Sequence, residues 1–219
     1  MPPLGDLLDQ LSEEPSIDAA LGRREPVIAV ADPGRAFVIA GLVAASDRRP
    51  VLVGTPTQAE AERLAADAAA ILGDDKVLHF PAWETLPFER VSPGVETMGQ
   101  RLAVLHRLTS DRPPSLVVAS ARALIQRIDP RAAIDPIEVR PSDQVDPVEL
   151  VEQLVMLGYR REGQVEHRGE VAVRGSIVDV YPSTADAPVR IDLWGDEVER
   201  LTEFAVADQR STEPVESAR

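Results

Sequence analysis

From residue 26 onward, short apolar runs alternate with longer stretches of helical periodicity. "PVIAVADPG" (26–34) reads as a strand ending in a turn, and "RAFVIAGLVAAS" after it as a helix. "RPVLVGT" is a second strand, followed by "TQAEAERLAADAAAIL", a strong helix with a threonine in its cap region. "DKVLHF" and "SLVVAS" are the third and fourth strands, followed by the helical "VETMGQRLAVLHRL" and "ARALIQRI" respectively. Strands of four to six apolar residues between helices predict a parallel sheet covered on both faces, here over residues 1–130.

The rhythm breaks at "DPRAAIDPIEVRPSDQVDP" (129–147), which carries four prolines, and the domain boundary is placed there. One helix follows, "DPVELVEQLVMLGY", with Gly158 as its C-terminal stop. The rest is strand-like. "VRIDLW" alternates with period two, and the Gly-Asp of "WGDE" suits a tight hairpin turn. The expected fold class is therefore α/β: a parallel-sheet domain, then a smaller α+β domain with a mainly antiparallel sheet at 131–212. Residues 213–219 read as a truncated polar tail.

"VEHRGEVAVRGSIVDVYP" (165–182) fits that second sheet awkwardly. A single strand with Val171 and Val173 inward would also point Ile177, Asp179 and Tyr181 inward, burying a charge. A one-residue bulge at Gly175 would switch the register. Val171, Val173, Val178 and Val180 would then share the core face, and Arg174, Ile177, Asp179 and Tyr181 the other. In "VRIDLW", Arg190, Asp192 and Trp194 would point outward as well. Arg, Trp and Tyr dominate interface hot spots. A solvated face with one arginine stacked on Trp194 fits the same residues, and residue type alone does not decide between them.

Composition narrows the chemistry. The 219 residues carry 37 acidic and 23 basic side chains, a net charge of −14, so nucleic-acid binding cannot rest on bulk electrostatics. With no cysteine, disulfides, thiolate chemistry and Cys-ligated zinc are excluded. The three histidines, His79, His106 and His167, lie far apart, so no metal site is expected. No apolar run reaches the roughly 18 residues of a membrane span, and the acidic N-terminus does not resemble a signal peptide. A cytoplasmic protein is the expectation.

A P-loop, G-x-x-x-x-G-K-[ST], would lie after the first strand. "AVADPGRA" keeps Gly34 there but has Ala29 for the first glycine, Arg35 for the lysine and Ala36 for the magnesium-binding hydroxyl. The place is right and the chemistry is wrong. In "FPAWETLPFERVSPG", Trp83 and Phe88 read as aromatic anchors of a rigid corner, in preference to a ligand loop.

Taken together, "WETLPFERVSP", "RLAVLHRL", "HRGEVAVRGSIVDVYP", "VRIDLWGDEVE" and "VADQRS" resemble the N-terminal region of the bacterial transcription-repair coupling factors, from about residue 26 to 212. That region is similar to UvrB, with a degenerate RecA/P-loop-like first domain and a second domain after it. UvrB itself would carry an intact P-loop and an aromatic hairpin, for which "VSPGVETMGQR" leaves no room. The resemblance implies that the second domain docks the repair ATPase UvrA. It maps that role onto Arg174, Arg190 and Trp194, where the family usually has Phe, with Ile177, Asp179 and Tyr181 beside them. Arg160, Arg161 and Arg168 are further candidates, interleaved with Glu162, Glu166 and Glu170, a sign alternation that suits a protein partner. The resemblance further implies a non-catalytic, monomeric N-terminal fragment that needs no cofactor. ATP, magnesium, RNA polymerase and duplex DNA would engage domains further along a longer chain. A DNA-contacting UvrB-like module and a vestigial nucleotide-binding domain are the alternatives.

Overall fold

The computed structural model describes residues 8, 11, 14–85, 92–128 and 136–219. The chain divides into two units, one of residues 1–91 and 101–134, the other of residues 92–100 and 135–219.

The first unit is built on three parallel strands: β1 (Val51–Thr55), β2 (Val77–Phe80) and β3 (Leu116–Ser120), in the order β1-β3-β2. Its helices are α1 (Pro15–Leu21), α2 (Arg35–Ala45), α3 (Gln58–Leu72), residues 101–109 of α4 (Val95–Thr109) and α5 (Ala121–Ile125). Every residue of the central β3 is buried, as expected of a strand covered on both faces. Val43 of α2 and Ala61, Ala65 and Ala68 of α3 pack on one face, against Leu116 and Val118. Val104 of α4 and Ala123 of α5 pack on the other, against Val117 and Ala119. Thr57 caps α3, its Oγ1 accepting from the Glu60 N–H at 3.2 Å.

The sheet has three strands where the sequence predicts four. Residues 26–31 form no strand, and Val27 is 98% exposed. An apolar run becomes a strand only where a sheet edge takes its backbone, and β3 is the one strand paired to β1 among the described residues. The Arg35 helix is entered instead from a short 3-10 turn, Asp32–Gly34. The fold is accordingly mixed α/β.

Trp83 anchors the corner after β2. The buried Arg101 guanidinium sits 4.2 Å from the Phe80 ring and 4.4 Å from the Trp83 ring, and donates to the Pro81 carbonyl at 2.6 Å. Phe88, and the segment 86–91 in which a strand-parting hairpin was not expected, lie outside the described residues.

The second unit is a six-stranded sheet in sequential order: β4 (Arg160–Arg161), β5 (Glu170–Arg174), β6 (Ile177–Val180), β7 (Val189–Trp194), β8 (Glu197–Phe204) and β9 (Ser211–Pro214). All neighbours are antiparallel except β4 and β5. Helix α6 (Pro147–Met156) lays Leu150, Val151 and Leu154 on one face, over Val171, Val178, Ile191 and Leu201. Asp146 caps α6, and Gly158, at φ 97°, follows its end. The polar C-terminal stretch is not a loose tail. Strand β9 pairs with β8, and Ala218 exchanges two 2.9 Å backbone bonds with Val139 at the edge of this core. Among the described residues no helix is long and apolar enough to cross a membrane.

Candidate functional site

The bulge expected at Gly175 is a hairpin turn. Arg174 pairs with Ile177, so Gly175 and Ser176 are the two loop residues, and Gly175 takes the positive φ, 62°, that such loops require. The face assignment survives this correction. Val171 pairs with Val180 and Val173 with Val178 over the core, while Arg174, Ile177 and Asp179 share the other face. Gly195 and Asp196 turn β7 into β8 in the same way, with Gly195 at φ 64°.

On that other face the register builds two cross-strand rows. One runs Ala172, Asp179, Arg190, Thr202, and the next runs Arg174, Ile177, Asp192, Arg200. Asp179 is thus directly opposite Arg190 and diagonal to Arg174. Its carboxylate accepts Arg190 Nε at 2.7 Å and Arg190 Nη2 at 3.0 Å, and also accepts Arg174 Nη2. The fork of one guanidinium and the tip of another converge on one anion. Two cations and one carboxylate leave the cluster with one surplus positive charge.

The face is not simply solvated. Val165, Ala172 and Phe204, with the half-buried Tyr181, form a second, smaller core on it. Asp179 is 1% and Arg190 14% exposed at the side chain, against the expectation that both point into solvent. Arg190 stacks over the Phe204 ring at 4.9 Å. The hydrogen bond to Asp179 raises the Arg190 pKa above its ordinary value, outweighing burial. Tyr181 donates to the Asp186 carbonyl at 2.9 Å and lies under Arg168. What remains open to solvent is Arg174, with 41% of its side chain exposed, and Trp194, 80% exposed. Trp194 is two residues beyond the Arg174 row on β7, a span of roughly 12 Å from Arg174 by strand spacing.

Arg160 is not in this cluster. It pairs with Glu170 at the far end of β5, at 3.2 Å. Burial pushes the Glu170 carboxyl up, but the Glu166 and His167 N–H groups and the His167 and Arg160 charges outweigh it and hold its pKa low. Arg168 is likewise engaged, with Glu96, Asp186 and the Ala185 carbonyl.

Sequence reasoning missed Gln209 and Phe204. Gln209 accepts Arg174 Nη2 on its Oε1 at 3.4 Å and Arg190 Nη1 on its main-chain carbonyl at 3.1 Å. Nothing periodic marks them: β8 is bulged opposite Asp192 and Leu193, so Val198 and Leu201, three apart, face the same core, and Gln209 lies in the loop after β8.

In the first unit, Arg35 and Ala36 line a cleft of about 450 Å³ between α2, β1 and α3, near Thr55 and Glu60. Arg35 pairs with Asp32 at 2.8 Å, so its charge is answered within the turn. Gly34 at the start of α2 has φ −90°, which any residue adopts. No group of three or more metal-ligating side chains occurs among the described residues.

Residues 137–219 match the family model described as the UvrB interaction domain. The chain is 40% identical over 197 residues to the transcription-repair-coupling factor of Mycobacterium tuberculosis (strain CDC 1551 / Oshkosh), covering 87% of this chain and 16% of that protein. It is 32% identical over 204 residues to the transcription-repair-coupling factor of Bacillus subtilis (strain 168), covering 90% and 17%. It is 32% identical over 170 residues to that of Escherichia coli (strain K12), covering 77% and 15%. The chain thus spans about one sixth of the length of these relatives. Over the part it spans, the chain belongs to the transcription-repair-coupling factors, and residues 137–219 are its UvrB interaction domain.

Proposed function

We propose that the chain is a non-catalytic adaptor that recruits the excision-repair protein UvrA through the outer face of β5–β7. The family match to a UvrB interaction domain supports it. The observation that carries it is the exposed Trp194 beside the half-exposed Arg174, whose cluster holds an unbalanced positive charge. An aromatic anchor next to an arginine with spare charge fits an apolar pocket rimmed by carboxylates. Arg190 and Asp179 hold the face from beneath, with Ile177 between them and the aromatic end. Contacts with RNA polymerase and duplex DNA, and any use of ATP and magnesium, we place in the five-sixths of the relatives' length that this chain does not span.

Titration calorimetry with UvrA, with and without DNA, tests this. Trp194→Ala and Arg174→Ala should each weaken binding about thirtyfold, the effect of losing a hot-spot residue. Undiminished binding by both variants would remove the face from the interaction.

A further inference from the structure

Gln209 lies in the loop between β8 and β9 with φ 60°, a left-handed conformation that residues with a Cβ rarely adopt. Its own amide holds it there. Nε2 donates to the Val165 carbonyl at 3.1 Å and to the Val206 carbonyl at 3.0 Å. Val165 is fully buried in the smaller core, so the amide ties the loop to a packed part of the sheet. Both donors being used there, the acceptors of Gln209 are left to the arginines: the side-chain oxygen to Arg174 and the main-chain carbonyl to Arg190.

We propose that Gln209 is a positioning residue for the docking face, the second anchor that fixes the Arg174 and Arg190 guanidiniums alongside Asp179. The inference rests on the docking reading above. Asp179 cannot do this alone, because one carboxylate serves two guanidiniums and takes Arg174 by a single nitrogen. With Asp179 and Gln209 each accepting from Nη2, both hydrogens of that nitrogen are engaged and the guanidinium plane is set. The hydrogen bonds of Arg174 to described residues both come from Nη2, which leaves its Nε and Nη1 as the point of attachment for a partner's carboxylate. Ordering that long side chain before the encounter removes an entropic cost from binding.

The test is Gln209→Gly in the whole chain, which relieves the backbone conformation while deleting the amide. Two readouts are needed: the nitrogen-15 relaxation order of the Arg174 Nε–H in the free protein, and calorimetric affinity for UvrA. The expected result is a fall in Arg174 order together with about tenfold weaker binding. Unchanged Arg174 order overturns the inference, because a merely structural loop residue would leave that signal alone. A fall in order with undiminished affinity overturns its role in docking. Wild-type protein that fails to bind UvrA sinks the docking reading itself, a result distinguishable from the other two. If the glycine variant does not fold, Gln209→Met, of similar length and without the hydrogen bonds, gives the same two readouts.

Discussion

Arg190→Ala should unfold the second unit more readily, and the size of the effect follows from what surrounds the guanidinium. The side chain is 14% exposed and makes two hydrogen bonds to Asp179, of 2.7 and 3.0 Å. It adds one to the Gln209 carbonyl at 3.1 Å and stacks on Phe204. Removing one partner of a buried pair costs roughly 3–5 kcal/mol, because the other charge is left without an answer. Arg174 still reaches Asp179 and softens that loss, so the low end, about 3 kcal/mol, is expected. In a unit of about 100 residues this lowers the melting temperature by roughly 12–24 °C. Calorimetry and urea titration followed by circular dichroism would measure it, with Trp194→Ala as the exposed control, expected within about 0.5 kcal/mol of wild type. The double variant Asp179→Ala/Arg190→Ala should be less destabilised than the two single effects added together, since no orphaned carboxylate remains. If Arg190→Ala costs no more than Trp194→Ala, the buried-pair argument is wrong. An affinity loss in Arg190→Ala therefore mixes folding with docking, and Trp194 and Arg174 are the cleaner probes.

Acid should destabilise the first unit through His79. Gln58 accepts the Ala82 N–H and the Ser120 hydroxyl on Oε1, so its amide turns Nε2 toward His79 Nε2, which must stay unprotonated to accept it. Burial pushes the His79 pKa down, with Glu62 opposing. The stability held by neutral His79 is thus complete above the unfolded value of about 6.5 and is lost as pH falls through the lower folded value. Urea midpoints of wild type and His79→Gln between about pH 5 and 7.5 should diverge toward acid, and parallel curves would exclude His79 as the cause. ATP should neither bind tightly nor turn over, since Arg35 and Ala36 stand where a lysine and a hydroxyl are needed and Asp32 already holds Arg35. Magnesium-dependent hydrolysis by pure protein would contradict this. At a net charge of −14, binding to duplex DNA at physiological salt should be weak and non-specific. Sub-micromolar affinity with a steep salt slope would favour a DNA-contacting module.

The face on which Arg174, Asp179 and Arg190 lie was legible in the sequence; the manner of reaching it was not. Across a two-residue hairpin, paired residues such as Val173 and Val178 are separated by an odd number of positions. A one-residue bulge in a continuous strand produces the same switch of parity. Hydrophobic alternation therefore cannot tell the two apart, and only the positive φ of Gly175 followed by a reversing chain does. The exposure of the cluster was misjudged for a different reason. Val165, Phe204 and Gln209 close over it from loops and a strand end, whose paths leave no periodic trace. The three strands and the helices of the parallel sheet that do exist were readable because Ala61, Ala65 and Ala68 recur at helical spacing and "SLVVAS" is apolar throughout. "PVIAV" has the composition of a strand, but pairing, which makes one, is a property of the neighbour.

The two tryptophans are divided between the units, and their surroundings differ in kind. Trp83 lies against the Arg101 guanidinium with its backbone N–H bonded to Gln126, whereas the Trp194 indole stands in water. Excited at the same wavelength, the second should emit to the red, be open to collisional quenchers such as iodide, and shift to the blue when another surface covers it. The first, only partly exposed, should be quenched less until the parallel sheet comes apart. One cuvette thus carries an intrinsic optical label for occupancy of the proposed docking face and another for integrity of the first unit, with no dye attached to either.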